Sequence, residues 1–293
     1  MPRVEDEHYE SFITILARFL FLFSNSTKKI KLMEVNKIYN ENCLDTMARM
    51  KDNFIDLTVT SPPYDNLREY NGYSFDFESI AKELYRTTKE GGVLVWVVSD
   101  ATIKGNETGT SFKQALYFKE VGFNLHDTMI YFINGTGAKG SNLAYWQSFE
   151  YMFVFTKGKP NTVNRIADKK NSNAGKKRCS YSSKKLNEIG TRKERKGVVS
   201  PEFSIRDNVW KYNVGKNDKT NHPAVFPEKL VRDHIYSWTN ENDLVYDCFM
   251  GSGTTAKMAH IYKRNWIGSE LSKEYLKDAE NRLKPHLTQI SLF

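Results

Sequence analysis

Cysteine is scarce: the 293-residue chain holds three, Cys43, Cys179 and Cys248, far apart and without a CxxC pair. Neither a disulfide framework nor a zinc site is therefore indicated, no metal is expected, and a reducing cytoplasm is the simplest setting. Long apolar runs are equally rare. The one candidate, Phe12 to Phe23, is too short to span a bilayer, contains Arg18 and follows an acidic leader, so neither a membrane span nor a signal peptide is expected. It suits a helix packed on the body or on a second subunit, within an N-terminal extension over residues 1–34. Met33 is a candidate natural start, because recognisable organisation begins just after it. No internal repeat is found.

Acidic charge is missing from one window. Between Lys157 and Lys219 there are 18 Lys and Arg against 6 Asp and Glu, so this stretch carries +12 while the whole chain carries +8, leaving −4 for the remainder. A basic island on a mildly acidic body is the footprint of a protein that neutralises phosphates. A solvated, loosely structured insert is the competing reading of the same charges.

What is present is an alternation of strand-like and helix-like pieces. Short strands are expected at Lys37 to Glu41 and at Ile55 to Ser61, with helical spacing of Leu44, Met47 and Met50 between them. A helix follows over Phe77 to Thr88. The run Val93 to Val98 is continuously apolar, as in strands buried on both faces. Then come a helix over Phe112 to Glu120 and strands over Leu125 to Ile133 and Phe149 to Thr156. Residues 160–220 are polar, rich in Lys, Asn and Ser, and read as an insertion with its own loose structure. The rhythm resumes with a helix over Pro227 to Trp238, a strand at Leu244 to Asp247, a helix at Thr254 to Tyr262, a strand at Asn265 to Glu270 and a final helix from Lys273 to Leu283. Such alternation predicts an α/β fold with a mostly parallel sheet and helices on its faces.

Two motifs carry chemistry. Thr60-Ser61-Pro62-Pro63-Tyr64 follows the apolar strand Ile55 to Val59, and two prolines force the chain out of the strand in a rigid turn. That turn holds out a hydroxyl, a free proline carbonyl and an aromatic ring, which together suit a flat molecule gripped by its face and its amino edge. Asp247 to Thr255, Asp-Cys-Phe-Met-Gly-Ser-Gly-Thr-Thr, follows the apolar Leu244-Val245-Tyr246. Gly251 and Gly253 permit positive φ and close approach of a ligand to bare backbone, and the following helix offers N–H groups to a carboxylate or phosphate. This loop lacks both the full GxGxxG spacing and the GxxxxGK phosphate loop. Glu270, at the end of the next strand, is positioned to accept hydrogen bonds from ribose hydroxyls.

The pairing of Thr-Ser-Pro-Pro-Tyr with Asp-x-Phe-x-Gly-Ser-Gly-Thr-Thr resembles the S-adenosylmethionine-dependent DNA amino-methyltransferases, which methylate exocyclic nitrogens of cytosine or adenine. Catalytic motif first, basic region next and cofactor motif last resembles the β group of that family. Trp146 to Gly158 resembles the last strand of the catalytic half, and Asn221 to Lys229 the segment covering the methionine part of the cofactor. The resemblance spans about residues 37–283 without the insert. It implies a Rossmann-like methyltransferase fold, circularly permuted, with a catalytic half at 35–159, a target-recognition region at 160–220 and a cofactor half at 221–293. It assigns Asp247, Phe249, Gly251, Ser252, Gly253 and Thr254 to the cofactor pocket, Glu270 to the ribose, and His222, Phe226 and Pro227 to the methionine end. The family often has Gly-Asp-Cys-Leu where Glu41-Asn42-Cys43-Leu44 stands here, so Asn42 takes the place of an Asp near the cofactor adenine.

Ser61, Pro62, Pro63 and Tyr64 are then the catalytic group. A hydroxyl and a carbonyl that both accept from the amino group would direct its lone pair at the sulfonium methyl, with the rate coming from positioning and electrostatic preorganisation. Stacking on Tyr64 would offset part of the cost of flipping the base from duplex DNA. Arg68 and Tyr70 are candidates to support the flipped nucleotide, or to make a structural ion pair and a packing contact. In the family, Asp or Asn at the position of Ser61 usually accompanies adenine methylation and Ser usually accompanies cytosine methylation at N4, so cytosine is favoured over adenine N6. Duplex DNA is the expected partner, and a cognate restriction endonuclease and a homodimer are compatible with the resemblance. The rival classes are a nucleic-acid-binding protein of the same fold without catalysis, and a dinucleotide-dependent oxidoreductase, which leaves the Ser-Pro-Pro-Tyr turn and the basic insert unexplained.

Overall fold

The computed structural model describes residues 33–63, 75–134, 145–186, 192–213 and 226–287, with backbone alone at 134, 178–186 and 192–198. Two units divide the chain, Met1–Glu34 and Val35–Phe293, and the second carries every strand and helix named below. Tyr64, Arg68, Tyr70, His222 and the Phe12 to Phe23 stretch lie outside the described residues.

The strands are β1 (Lys37–Tyr39), β2 (Ile55–Thr60), β3 (Thr88–Val98), β4 (Thr102–Ile103), β5 (Asn106–Glu107), β6 (Asn124–Asn134), β7 (Phe149–Thr156), β8 (Lys169–Lys170), β9 (Lys177–Leu186), β10 (Arg192–Val199), β11 (Phe203–Ser204), β12 (Val209–Asn213), β13 (Leu244–Asp247) and β14 (Asn265–Ser269). The helices are α1 (Cys43–Ala48), α2 (Phe77–Thr87), α3 (Thr110–Val121), α4 (Glu228–Trp238), α5 (Thr254–Ile261) and α6 (Lys273–Leu287). Eight strands form one sheet in the order β1-β14-β13-β2-β3-β7-β6-β12. Only β7 runs against its neighbours, antiparallel to both β3 and β6. Central position explains the apolar run in β3, where Val93 to Val98 are all buried between β2 and β7. Asp76 caps α2 by accepting the Ser79 N–H at 3.2 Å, and Ile80, Ala81, Leu84 and Thr87 turn its buried face to the core.

The connections diverge at the middle of the sheet. From β13 the chain passes through α5 to β14 on one side; from β2 it passes through α2 to β3 on the other. Because β13 and β2 are parallel neighbours, with Val245 opposite Leu57 and Tyr246 opposite Thr58, this is a topological switch point. A crevice opens there beyond the carboxyl ends of the strands.

One part of the expected insert belongs to the main sheet. Val209–Asn213 pairs in parallel with β6, and Trp210 and Tyr212 alternate into the core while their neighbours face outward. The polar average of residues 160–220 conceals this period of two. The small pairs β4–β5, β8–β11 and β9–β10 also went unread, being short or polar. Helix α6 continues past Leu283 and through Pro285 to Leu287.

Candidate active site

Both chemical motifs leave the sheet at the crevice. Thr60, the last residue of β2, is buried and donates its hydroxyl to Asp247 Oδ1 at 2.7 Å, joining positions 187 residues apart. Asp247 also accepts the Phe249 N–H on Oδ1 at 3.0 Å and the Thr255 hydroxyl on Oδ2 at 2.6 Å. Burial pushes the Asp247 carboxyl up from the usual carboxylate range, against the lowering action of the hydrogen bonds from Thr255, Thr60 and the Phe249 amide. With both oxygens engaged inside the protein, Asp247 is the clamp that ties the glycine loop to the end of β2, from which the chain runs on to Ser61. Ser61 and Pro63 are half-buried and Pro62 is buried, directly beyond Thr60.

The glycine loop needs its glycines. Gly251 and Gly253 have φ of 53° and 80°, and a Cβ at Gly253 would lie 2.8 Å from the Ala279 Cβ of α6. Gly253 stands at the N-cap of α5 without a side-chain cap, so the helix presents its first-turn N–H groups and its positive dipole end to the loop. Ser252 and Thr254 are buried and held by Arg282 of α6, whose Nη1 lies 2.7 Å from the Ser252 carbonyl oxygen, 3.0 Å from its hydroxyl and 3.1 Å from the Thr254 hydroxyl. The same guanidinium meets Glu228 Oε1 at 3.1 Å, and Lys257 of α5 meets that oxygen at 2.6 Å. Glu228 opens α4 directly after Phe226 and Pro227, so these ion pairs bring the expected methionine-end segment and the glycine loop together.

Glu270 follows β14. Its Oε2 accepts the Gly251 N–H and its Oε1 the Ser272 N–H, each at 2.8 Å. Burial raises its carboxyl above the usual range, opposed by the N–H groups of Ser272 and Gly251. Each oxygen keeps acceptor capacity after one such bond, which suits two adjacent hydroxyls. Asn42 is the N-cap of α1, its side chain accepting the Leu44 N–H at 2.9 Å, and the end of its strand lies beside Glu270, whose N–H donates to the Tyr39 carbonyl at 3.0 Å. The ring of Phe249 meets Phe75 edge-on at 5.8 Å and Trp96 at 6.2 Å.

A buried carboxylate with spare acceptor capacity, a bare glycine loop and an uncapped helix start are groups of the kind that a ribose and a carboxylate of a nucleoside amino acid would need. Thr60, Thr255 and Arg282 were not read from the sequence as parts of this site. The two threonines are the first and last residues of the motifs, and their structural role could have been found by asking what satisfies a buried Asp; Arg282, 30 residues from Ser252, leaves no local signal. Among the described residues no group of His, Cys, Asp and Glu could hold a metal ion, and no helix is long and apolar enough to cross a membrane.

Fold and site together define an S-adenosylmethionine-dependent methyltransferase. A family profile described as DNA methylase, of the N6/N4 amino-methyltransferases, matches residues 55–281. An orphan methyltransferase of Bacillus amyloliquefaciens, M.BamHII, is 55% identical over 249 residues, covering 81% of this chain and 93% of that protein. A Type II methyltransferase of Moraxella bovis, M1.MboII, is 28% identical over 273 residues, covering 85% and 96%. Among solved structures, the PvuII DNA methyltransferase (cytosine-N4-specific) superposes with a TM-score of 0.63 at 21% identity, over 85% of this chain and 86% of that one. M1.HpyAVI in complex with S-adenosylmethionine superposes with a TM-score of 0.57 at 23% identity, over 84% and 99%. The chain belongs to the N6/N4 family of DNA methyltransferases, with S-adenosylmethionine as its methyl donor and duplex DNA as its substrate.

Proposed function

We propose that the protein methylates the exocyclic N4 of a cytosine flipped out of duplex DNA, at a specific site. The observation that carries the reading is the buried Thr60 to Asp247 hydrogen bond of 2.7 Å, since Ser61 and Pro62 follow Thr60 and the glycine loop follows Asp247. Bound S-adenosylmethionine supplies an electrophilic methyl group on sulfonium. Glu270 would hold its ribose hydroxyls, the start of α5 its carboxylate, Asn42 its adenine edge and Phe226 and Pro227 its methionine chain.

The chain's own part in catalysis is positional. An amino nitrogen conjugated with a pyrimidine is a poor nucleophile because its lone pair is delocalised into the ring. The Ser61 hydroxyl and the Pro62 carbonyl accept its two N–H groups, which turns the lone pair out of the ring plane and toward the donor. As the N–C bond forms the S–C bond breaks, and the surplus proton leaves the nitrogen for water. No strong base is required, so the rate rests on placement. Flipping costs a few kcal/mol, and stacking on Tyr64 offsets about 1–3 kcal/mol of it.

Cytosine is favoured over adenine because Ser61 stands where the family's adenine enzymes usually carry Asp or Asn, and the PvuII enzyme is named as cytosine-N4-specific. The names of the relatives, orphan and Type II, support a modification role with or without a partnered endonuclease. Mass spectrometry of nucleosides from treated DNA tests the reading. N4-methylcytosine is expected, and N6-methyladenine in its place overturns the choice of base. A protein of this fold without catalysis would yield neither.

A further inference from the structure

One short projection stands beside the catalytic turn and has no part in binding the donor or in turning the amino nitrogen. Strand β3 pairs with β2 up to Thr60, which lies opposite Trp96, and then runs on through Val97 and Val98. Ala101 is buried, and residues 103–107 after it are exposed. At about 3.3 Å per residue along the chain and about 4.8 Å between strands, Ala101 lies within about 14 Å of Ser61.

The projection is a tight hairpin. Strands β4 and β5 pair antiparallel, Thr102 opposite Glu107 and Ile103 opposite Asn106, around a two-residue turn in which Lys104 and Gly105 have φ of 51° and 78°. Positive φ at both central residues gives the turn whose twist matches that of the strands. The root is fixed on both sides. The Thr108 N–H donates to the Ala101 carbonyl at 3.0 Å, while Asp100 accepts the Ser111 N–H at 2.8 Å and the Ser111 hydroxyl at 2.5 Å. Asp100 thereby caps α3, whose own N-cap, Gly109, has no side chain for the purpose. Held between the end of β3 and the start of a helix, the hairpin keeps one direction.

We propose that the β4–β5 hairpin enters the DNA beside the target and that Ile103 fills the space in the base stack vacated by the flipped base. The proposal rests on the methyltransferase reading and adds the element that holds the duplex open. Attack on a methyl group is in line, with the nucleophile opposite the departing sulfur. The donor residues Asn42, Glu270 and the glycine loop follow β1, β14 and β13, which all lie on one side of β2 in the sheet. The target base therefore comes in from the β3 side, where the hairpin stands. From Ala101 to the tip is about 10 Å of strand, more than the depth of either groove of B-DNA, about 8.5 and 7.5 Å. Ile103 is 56% exposed, and a Cβ at Gly105 would meet nothing within 4 Å, so the tip stands clear of the described body. A lone exposed isoleucine is ordinary on a surface, and it is the place of this one that matters. Residues 102–107 hold one Lys and one Glu, so the hairpin has no net charge with which to neutralise phosphates. What it offers is an apolar side chain, the type of group that proteins wedge between base steps.

The test uses the full chain, S-adenosylmethionine and two duplexes with the site that single-molecule sequencing finds methylated, one fully paired and one mismatched opposite the target base. A mismatched base leaves the stack at less cost, so the wedge matters less there. Ile103→Ser should lower kcat/KM on the paired duplex by about tenfold, equivalent to about 1.4 kcal/mol, and on the mismatched duplex by less than about twofold. Ile103→Leu should restore the rate on the paired duplex. A fluorescent base analogue at the target position, bright when unstacked, should light up with the original protein and Ile103→Leu and clearly less with Ile103→Ser. Equal losses on the two duplexes, an undiminished rate on the paired one, or no recovery with Ile103→Leu overturns the proposal. The rise in Tm on adding S-adenosylmethionine should be the same in all three proteins, and if Ile103→Ser misfolds and loses it, Ile103→Ala takes its place. Absence of methyl transfer by the unaltered protein on both duplexes would instead sink the reading on which the proposal rests.

Discussion

Thr60→Val is the sharpest perturbation of this site, because it removes one hydroxyl and almost nothing else. Thr60 is fully buried and its Oγ1 lies 2.7 Å from Asp247 Oδ1, while valine keeps the branched shape and leaves no cavity. The carboxylate is not orphaned, since Phe249 N–H and the Thr255 hydroxyl still reach it. The cost is one hydrogen bond to a charged acceptor, about 2 kcal/mol, together with the weak contact of Cys248 Sγ to the same hydroxyl at 3.6 Å. In a domain of this size that lowers Tm by about 4–8 °C. Turnover should fall more than stability suggests, because Ser61 is the next residue and an error of about 1 Å at a reacting centre costs about 100-fold.

The double-mutant cycle with Asp247→Asn isolates the bond. Urea unfolding at pH 8 works on the side that favours the ionised Asp247 carboxyl, against the upward push of burial. In the Asp247→Asn background the hydroxyl meets a neutral amide, so Thr60→Val should cost only about 1 kcal/mol and the coupling should be about 1 kcal/mol. Denaturant slopes should not change. Additivity of the two substitutions, or a Thr60→Val protein within about 0.5 kcal/mol of the original and at full turnover, would refute the claim that this bond sets the catalytic turn against the cofactor loop.

Other consequences can be measured singly. Glu270→Gln keeps an acceptor for Gly251 but loses charge assistance to the ribose hydroxyls, so calorimetry should find S-adenosylmethionine bound about tenfold more weakly, and an unchanged Kd would remove Glu270 from the ribose. Gly253→Ala meets both a φ of 80° and the Ala279 Cβ, so it should cost about 1–3 kcal/mol, distinctly more than Gly175→Ala, whose φ is 75° in open space; equal costs would contradict the close packing. His234 is wholly buried, with the Trp238 indole N–H donating to Nδ1 at 3.3 Å and Trp210 at 4.7 Å, and burial lowers its pKa from 6.5 to about 3. The folded state keeps it neutral while the unfolded chain takes a proton below pH 6.5, so stability should drop as pH falls from 6.5 toward 3, by about 1.4 kcal/mol per unit. His234→Gln should flatten that decline, and identical pH profiles for the two proteins would falsify the assignment.

Local chemistry was legible in the sequence wherever one residue type has few uses. Paired prolines after Val59 could only end a strand, and Gly251 and Gly253 could only relax a loop. The alternating elements gave the α/β class, and the helices and strands of the main sheet fell close to their expected positions because their apolar periods are long. What sequence cannot carry is adjacency. Nothing near Asp247 announces Thr60, and nothing near Ser252 announces Arg282, because those partners meet only after β13 docks on β2 and α6 packs over α5. Strand β12 was lost for a related reason: Trp210 and Tyr212 are core residues set among Val209, Lys211 and Asn213, and a polar neighbourhood masks so short an alternation.

Adjacency in the sheet, rather than order in the chain, is also what leaves the sequence of the two halves free. A ligand crevice requires two parallel neighbours whose connections depart to opposite sides, and it places no condition on which of them comes first in the chain. Here β2 precedes β13, with Thr60 and Asp247 187 residues apart, yet Val245 lies opposite Leu57 and Tyr246 opposite Thr58 as in any adjacent pair. The cost of that arrangement is a long loop to close before the pairing is rewarded, and closure entropy grows only with the logarithm of loop length, about 0.6 kcal/mol per doubling. A single hydrogen bond to a buried carboxylate, worth about 2 kcal/mol, exceeds that increment. Thr60 and Asp247 therefore do more than align two loops: they add to the β2–β13 pairing that brings the two motifs of a permuted chain together.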